Sequence, residues 1–367
     1  MTVVRRWALV GLGVLLLVAT PLVVRALPAA ESDLSATALL HRIQGSRDVA
    51  FSGYVETAGS VGLPKNDTLS SLTKLLGDTN KVRVWWSDPT TWRVSTLRAT
   101  GETDLIHAGD RMLRWVYESK NVTLVPDVSV RLPNTADLLP NELARKVLSG
   151  ARPGELSRLP ARRLAGHDTL GLRLVPADKQ SAVSRVDVYA DRTTGLPVQV
   201  QLFANGLAFP SLTTRFLDLH VGAPDASALA FSPPNDSRVR TDGVVDLADA
   251  ANRFAARIPP QTLAGLPARG TRVGGGAVGV YGRGPTVLFA VPLWHRSADR
   301  VREGLLTAPG SLELDQGILV AAPPMRLLLA NAEPNDNSWL LAGTVTRKAL
   351  LRAADQLVAE RPGLRVP

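Results

Sequence analysis

The side chains that most often do chemistry in proteins are scattered in this chain. The five histidines are far apart, at positions 41, 107, 167, 220 and 295. None belongs to an HExxH or other paired metal-ligand spacing. Ser311 lies in a Pro-Gly-Ser-Leu turn without the glycine pair of a nucleophile elbow. Asp187 and Asp191 flank a predicted hairpin as solvated turn residues, and Gly195 in its loop suits a positive φ. These spacings predict neither a metal centre nor a nucleophile.

One glycine-rich segment, residues 274–279, formally matches the GxGxxG fingerprint. A dinucleotide site needs a strand before this motif and a helix after it. Gly282, Gly284 and Pro285 follow and break any helix, so the motif predicts a flexible turn before a strand. The chain has no cysteine, which excludes disulfides, thiol catalysis and a lipoprotein attachment site. We therefore predict a binding protein, not an enzyme, with no cofactor and no metal.

Aromatic residues are concentrated in one part of the sequence, since four of the seven tryptophans fall between residues 85 and 115. Apolar residues alternate with polar ones over residues 81–87 and 91–97, which predicts strands with one apolar face. The turns at Asp88-Pro89 and Gly109-Asp110 are too short for crossovers. The segment is therefore predicted to be an antiparallel meander.

The apolar face of such a sheet must be covered, and the predicted helices at 33–44, 64–77 and 136–148 are few. Two alternatives stay open: the helices fill the face completely, or they leave a trough for an acyl chain. Burial in such a trough would stabilise a ligand by about 25 cal/mol per Å² of apolar surface. The candidate lining residues are Trp86, Trp92, Arg93, Val94, Trp115, Tyr117, Leu172, Val188 and Val200.

The N-terminus has the pattern of a membrane-targeting segment. Arg5 and Arg6 precede an uncharged, mostly apolar stretch at residues 7–24. Its length is near the minimum that spans a bilayer and exceeds a typical signal-peptide core. The flanking charges place the N-terminus in the cytoplasm. Residues 1–30 are predicted to be a signal anchor in the inner membrane or a cleaved signal peptide. In both cases the rest of the chain is predicted to be extracytoplasmic. It is either membrane-anchored by a single N-terminal helix or secreted after signal cleavage.

The length of 367 residues predicts roughly two domains. A cluster of proline and asparagine near residue 233 predicts a linker at 233–245. It separates a β-rich domain at 31–232 from a smaller α+β domain at 246–367. The net charge is +9, but the arginines are scattered and form no basic patch. We therefore predict no nucleic-acid partner.

Five short motifs follow one another in a characteristic order: KVRVWWSDP at 81–89, TWRV at 91–94, IHAGD at 106–110, LRWVY at 113–117 and NVTLV at 121–125. A later hairpin reads DVYADRTTGLP at 187–197. Together they resemble the LolA/RseB superfamily over residues 31–232. The resemblance implies a mainly β fold with α, namely a half-open antiparallel β-barrel with a helical lid and a hydrophobic cavity. Here it would be joined to a small C-terminal α+β domain.

Members of this superfamily carry lipoproteins or, in the RseB/MucB group, bind the extracytoplasmic part of a membrane anti-sigma factor and sense lipid. The second domain favours the RseB/MucB group, because the carriers consist of the barrel alone. Arg93, Trp115 and Tyr117 match the family's strand positions, whereas the insert at 58–79 departs from its pattern. The resemblance thus implies a sigma-factor regulatory protein with a membrane protein partner and a lipid ligand. The alternative is a periplasmic or cell-envelope lipid or lipoprotein carrier.

Overall fold

A computed structural model describes residue 7 and residues 29–60, 70–98, 100–125, 133–241, 258–269, 278–331 and 338–359. The described chain is mainly β with α, as the sequence predicts. Its strands form one twelve-stranded sheet, one six-stranded sheet and a short two-stranded pair.

The large sheet contains the first twelve strands of the chain. Their bounds are β1 (Phe51–Gly59), β2 (Thr79–Asp88), β3 (Thr91–Arg98), β4 (Gly101–Ala108), β5 (Arg111–Val116), β6 (Asn121–Val125), β7 (Leu156–Leu164), β8 (His167–Leu174), β9 (Val183–Asp191), β10 (Pro197–Ala204), β11 (Leu212–Val221) and β12 (Arg238–Thr241). The spatial order is β12-β6-β5-β4-β3-β2-β1-β11-β10-β9-β8-β7. Neighbours are antiparallel except β12, which pairs with β6 in parallel. The predicted antiparallel meander from β2 to β6 is confirmed.

Four helices belong to this first unit: α1 (Ala36–Gly45), α2 (Ser70–Gly77), α3 (Pro140–Val147) and the single turn α4 (Ala226–Leu229). Three 3₁₀ turns lie at Ser46–Asp48, Thr135–Leu138 and Pro153–Glu155. The Ser35 Oγ caps α1 by accepting a hydrogen bond from the amide of Ala38 at 3.1 Å. Proline at the first position of α3 needs no hydrogen-bond partner there, which suits a helix start.

The second unit contains β13 (Thr262–Leu263), β14 (Leu266–Pro267), β15 (Gly279–Arg283), β16 (Thr286–Leu293), β17 (Ser311–Leu314), β18 (Gly317–Ala322), β19 (Met325–Ala330) and β20 (Ser338–Gly343), with helices α5 (His295–Leu306) and α6 (Arg347–Ala359). The last six strands form the smaller sheet, in the order β15-β16-β20-β19-β18-β17. Helix α6 buries Leu350 and Leu357 in one cluster with Trp339 and Tyr281 of that sheet.

The two units share one apolar core. A single buried cluster runs from α1, α3 and strands β8–β10 to α5, β18 and β19, where Leu305, Ile318 and Leu329 belong to it. Because this cluster is continuous, the units pack through buried side chains as well as through the chain that joins them.

A buried ion pair fixes the same junction. Arg283 donates to both carboxylate oxygens of Glu155 at 2.7 Å and lies 3.3 Å from Asp178. The Glu155 side chain is only 3% exposed. Close by, the loop before β9 hydrogen-bonds the chain ahead of α6, since the amide of Ala182 donates to Thr344 and that of Thr346 donates to Gln180. Apolar, ionic and backbone contacts therefore hold the two units together.

Several predicted elements fall partly or wholly outside the described residues. Of the helix predicted at 64–77, residues 70–77 are helical, and residues 64–69 lie outside the described ranges. The predicted linker at 233–245 contains strand β12. Within the described ranges, no helix is both long and apolar enough to cross a bilayer, and the predicted segment 7–24 lies outside them apart from Trp7. The barrel, the domain boundaries and the separate C-terminal domain stay predictions.

Candidate binding site

Strands β1–β5 have two faces with different chemistry. We call the face that carries Phe51, Val84, Trp86, Trp92 and Val94 the inner face, because these side chains form one buried cluster under the 3₁₀ turn at 135–138. The opposite face, which we call the outer face, carries Tyr54, Arg83, Trp85, Arg93, Ser95, Leu97, Asp104, Trp115 and Tyr117, by the alternation of each strand and the register between strands.

An aromatic stack occupies the inner face. The Trp86 ring lies 5.8 Å from Phe51 and 5.8 Å from Trp92, nearly parallel to both, and Phe216 meets Phe51 edge-on at 5.4 Å. Gly53 makes room for Phe216, because a Cβ there would stand 3.0 Å from its ring and 2.5 Å from a backbone oxygen of β11. Trp86 is 2% exposed and Trp92 is 7% exposed. These rings therefore pack against one another.

The remaining inner-face candidates lie further along the same sheet. Leu172, Val188 and Val200 are direct neighbours across β8, β9 and β10. All three are fully buried, as is Val94, and the three belong to the cluster that contains α1 and α3. In the part of the chain that the structure describes, the chain's own side chains fill the apolar face on which an acyl-chain site was predicted.

The structure does not bring all nine predicted residues together. Trp86, Trp92, Val94, Leu172, Val188 and Val200 belong to buried inner-face clusters, whereas Arg93, Trp115 and Tyr117 lie on the outer face. The reason is the two-residue period of a strand, which places the consecutive residues Trp92 and Arg93 on opposite faces. Trp115 pairs directly opposite Asp104, which fixes it beside the outer-face polar residues.

Asp104 is the centre of an outer-face polar network and is fully buried. Arg93 donates to its Oδ2 from Nε at 3.0 Å and from Nη2 at 2.5 Å, Ser95 donates to its Oδ1, and the Tyr117 hydroxyl lies 3.3 Å from Oδ2. Burial, followed by the negative charge of Asp104, raises the pKa of Tyr117. A buried carboxylate needs such partners, because an unpaired buried charge costs several kcal/mol.

The chain that follows β11 covers this network. Arg93 donates through Nη1 to the Ala228 carbonyl at 3.2 Å, and the Phe231 ring lies 5.6 Å from Trp115. Residues 226–231 therefore close the outer face over β3–β5. The network connects β3, β4 and β5 to residues 226–231, so its contacts stabilise the fold.

The outer face stays open over β1 and β2. A groove of about 430 Å³ lies there, lined by Ser52, Gly53, Tyr54, Arg83, Val84, Trp85, Leu97 and Asp218. Its volume falls within the range of small-molecule and peptide side-chain pockets. Among the candidates from sequence, only Arg93 reaches its edge, with the guanidinium 5.6 Å from the Trp85 ring. Arg83 and Trp85, which alternate with the inner-face residues of 81–87, are the sequence feature that indicates this groove. The sequence prediction used only the inner-face side of that alternation and therefore did not identify the groove.

The two hairpin carboxylates are not solvated, contrary to the sequence prediction. Asp187 is 5% exposed and accepts two hydrogen bonds from Arg173, at 2.7 and 2.8 Å. Asp191 is 6% exposed. Burial acts to raise the pKa of Asp191, but hydrogen bonds from Thr194, His167 and Thr193 outweigh it and lower the pKa. Both carboxylates hold strands and a turn in place.

His167 lies between the Asp191 carboxylate, 3.0 Å from Nδ1, and the Leu219 carbonyl, 3.1 Å from Nε2. Both ring nitrogens are therefore engaged, one joining β8 to the adjacent strand β9 and the other joining it to β11. Across the described ranges, no group of three or more His, Asp or Glu side chains is placed to hold a metal ion.

Comparisons with known proteins give structural neighbours only. No family model matches the sequence, and no curated protein matches it. The chain is similar to the Pseudomonas aeruginosa MucA/MucB complex structure, at 17% identity and a TM-score of 0.48, covering 87% of this chain and 96% of that one. A structure of MucB in complex with MucA(peri) is similar at 17% identity and a TM-score of 0.47, covering 87% and 97%. A LolA superfamily protein from Nitrosomonas europaea is similar at 10% identity and a TM-score of 0.22, covering 54% and 98%. These neighbours are of the LolA-like and RseB/MucB type that the sequence motifs resemble.

Proposed function

We propose that this chain is an extracytoplasmic, non-enzymatic regulatory protein of the RseB/MucB type that binds the extracytoplasmic part of a membrane anti-sigma factor. The motifs at 81–125 and 187–197 support this proposal, because their order resembles that group. The N-terminal segment at 7–24 supports a location at the membrane, as an anchor or as an export signal.

The observation that carries the proposal is an inner face packed with the chain's own side chains, next to a second unit that is fixed to the first. The inner-face candidates Trp86, Val94 and Leu172 are between 0% and 2% exposed. Their close packing favours a partner site on the outside of the molecule over an apolar ligand site among these side chains. Because Arg283 and Glu155 lock the units together, that outside is one continuous surface. A specific protein partner needs about 800 Å² of such surface.

The carrier alternative gains no comparable support. An acyl chain at the inner face would have to displace α3 or the turn at 135–138, since Leu143 of α3 and Leu139 between the two elements are buried in the clusters that cover the sheet. Native mass spectrometry of the purified protein tests this point. We expect no retained lipid, and a stoichiometric lipid would favour the carrier.

Recovery of the partner from membranes tests the proposed function. The full-length chain, tagged at its C-terminus, is purified under mild detergent, and co-purifying proteins are identified by mass spectrometry. We expect a single-pass membrane protein whose cytoplasmic part binds a sigma factor. The matched control carries residues 1–30 fused to an unrelated soluble protein, which shares the membrane segment and lacks both sheets. Equal recovery by this control, or no anti-sigma factor with the full chain, contradicts the proposal.

N-terminal sequencing of the same material determines how the chain is held. An intact residue 1 indicates a signal anchor and argues against a shuttling carrier. A mature N-terminus near residue 30 indicates a cleaved signal peptide.

A further inference from the structure

The groove on the outer face contains two charged side chains that the fold does not use. Arg83 and Asp218 both line it and both are exposed. Within the described part of the chain, neither takes part in an ion pair or a side-chain hydrogen bond. Nearby charges are already neutralised, because Glu56 lies 3.6 Å from Lys81 and 2.9 Å from Arg215, while Asp104 holds Arg93. Arg83 and Asp218 are thus the charges left available to a ligand.

Strand register fixes the spacing of these two charges. Tyr54 of β1 pairs with Arg83 of β2 on one side and with Asp218 of β11 on the other. The three residues therefore form one row across the sheet, with the aromatic ring between the opposite charges. Neighbouring strands lie about 4.8 Å apart, so the α-carbons of Arg83 and Asp218 are separated by roughly 10 Å.

The next row of outer-face residues, Ser52 and Trp85, gives the groove a flat aromatic side and open space. Ser52 pairs with Trp85, and the small serine leaves the indole partly exposed beside Tyr54. Leu97, which is 44% exposed, stands at the far side of the groove. Exposed Trp, Tyr and Arg side chains in a concave surface are the residue types that dominate protein-binding hot spots.

We propose that this groove binds an extended peptide segment that carries an acidic residue and a basic residue two positions apart, and therefore on the same side of the peptide. The acidic residue pairs with Arg83, the basic residue pairs with Asp218, and the peptide backbone between them packs on Tyr54 and Trp85. An extended chain advances about 3.3 Å per residue, so two positions span roughly 7 Å, and the long side chains of Arg83 and of the basic residue reach across the rest of the row. The inference deepens the proposed function, on which it rests, by naming where and how the partner's segment docks.

Peptide selection on the intact protein tests the site without the partner in hand. A library of random linear peptides displayed on phage is selected on the full-length chain in detergent and counter-selected on the Arg83→Glu variant. We expect enrichment of an acidic and a basic residue two positions apart, with no preference for the residue between them, because its side chain points away from the groove. A synthetic peptide of the enriched sequence is then titrated against the full set of variants.

The titration has defined outcomes. We expect Arg83→Glu and Trp85→Ala to weaken binding by about tenfold or more. The matched controls on α5 and in the chain just before it, Arg300→Glu and Trp294→Ala, are expected to bind as the unmodified protein does. A peptide with its acidic residue replaced by lysine should regain affinity for the Arg83→Glu variant.

The inference is overturned if the selection does not enrich the charge pair, or if the selected peptide binds Arg83→Glu and the unmodified chain with equal affinity. A loss of affinity that Arg300→Glu reproduces also overturns it, because the effect would then follow net charge. The proposed function fails separately, when membranes yield no anti-sigma factor even though the groove selects its peptide.

Discussion

Trp85 and Trp86 are consecutive in the sequence and have opposite surroundings. Trp86 is 2% exposed between two parallel rings, while Trp85 borders a groove beside a charged side chain. The same strands therefore present a dry apolar face and a polar, partly open face. The inner face is filled by the chain itself, so its contacts stabilise the fold. The outer face keeps aromatic rings and charges accessible over β1 and β2, so it is the side suited to recognition.

The largest expected effect tests the inner face directly. Trp86→Ala removes the middle ring of the stack and leaves a cavity, so we expect the free energy of unfolding to fall by about 3–5 kcal/mol. Trp85→Ala is the matched control one residue away, and its loss should stay below about 1 kcal/mol. Urea unfolding followed by near-ultraviolet circular dichroism measures both. Equal losses in the two variants would remove the distinction between the faces.

The second prediction concerns the closed part of the outer face. Asp104→Asn keeps the side-chain shape but removes the charge that balances Arg93, whose side chain is 15% exposed. We expect a loss of about 2–4 kcal/mol in urea unfolding. Asp110→Asn in the exposed turn before β5 should cost below about 0.5 kcal/mol. If Asp104→Asn lowers the free energy of unfolding no more than Asp110→Asn does, the outer face contributes little to stability.

The third prediction separates ionic from apolar contacts at the junction of the two units. Hydrogen bonds from Arg283, opposed by burial, lower the pKa of Glu155 from 4.5 to about 2. A carboxyl with a lowered pKa stabilises the fold above its ordinary pKa, and this stabilisation disappears as the pH falls towards 2. We expect Glu155→Gln to lose about 1–2 kcal/mol near neutral pH, allowing for screening by solvent.

The measurement is urea unfolding of the variant and the unmodified protein at neutral pH and near pH 3. The gap in unfolding free energy between the two proteins should narrow at the lower pH. The reason is that Glu155 of the unfolded chain, with its ordinary pKa of 4.5, is protonated near pH 3, while the folded carboxyl is still largely charged. An unchanged gap would mean that the apolar cluster alone holds the units together.

The smallest expected effect is at Tyr117, which is 41% exposed. Tyr117→Phe removes the hydroxyl that accepts a hydrogen bond from Arg93 at 2.9 Å, so we expect a loss below about 1 kcal/mol. The raised pKa of this phenol means that its contribution is present below its ordinary pKa of 10.0 and is lost at higher pH. Ultraviolet absorbance titration should show one fewer tyrosine with a raised pKa in the variant, while the raised pKa of Tyr189 stays. A titration identical to that of the unmodified protein would contradict the assignment.

Sequence alone predicted the strands and the inner-face residues of β2 well, because alternation is a local property of the chain. It also predicted a positive φ at Gly195, where φ is 76°. It did not place Arg93, Trp115 and Tyr117 on the outer face, since a family resemblance at single positions carries no register between strands. Asp187 was assigned to solvent because its partner Arg173 lies on a different strand.

The groove was beyond sequence reasoning for a related reason. Its row joins Tyr54 to Asp218, which are paired only after β11 folds back beside β1. The choice of that partner depends on packing across the whole sheet, which no local pattern encodes. Local alternation did mark Arg83 and Trp85 as one face, but it could not show that the face stays uncovered there.

The parallel strand β12 has a practical consequence for anyone who divides this protein. Arg238–Thr241 lies within the stretch that reads as a connector, yet it pairs with Asn121–Leu124 of β6 and so finishes one edge of the large sheet. An expression fragment that stops at residue 232 would leave β6 with unmatched amide and carbonyl groups, a known route to self-association. A fragment that ends after residue 241 keeps that edge protected, and the two products should differ in solubility.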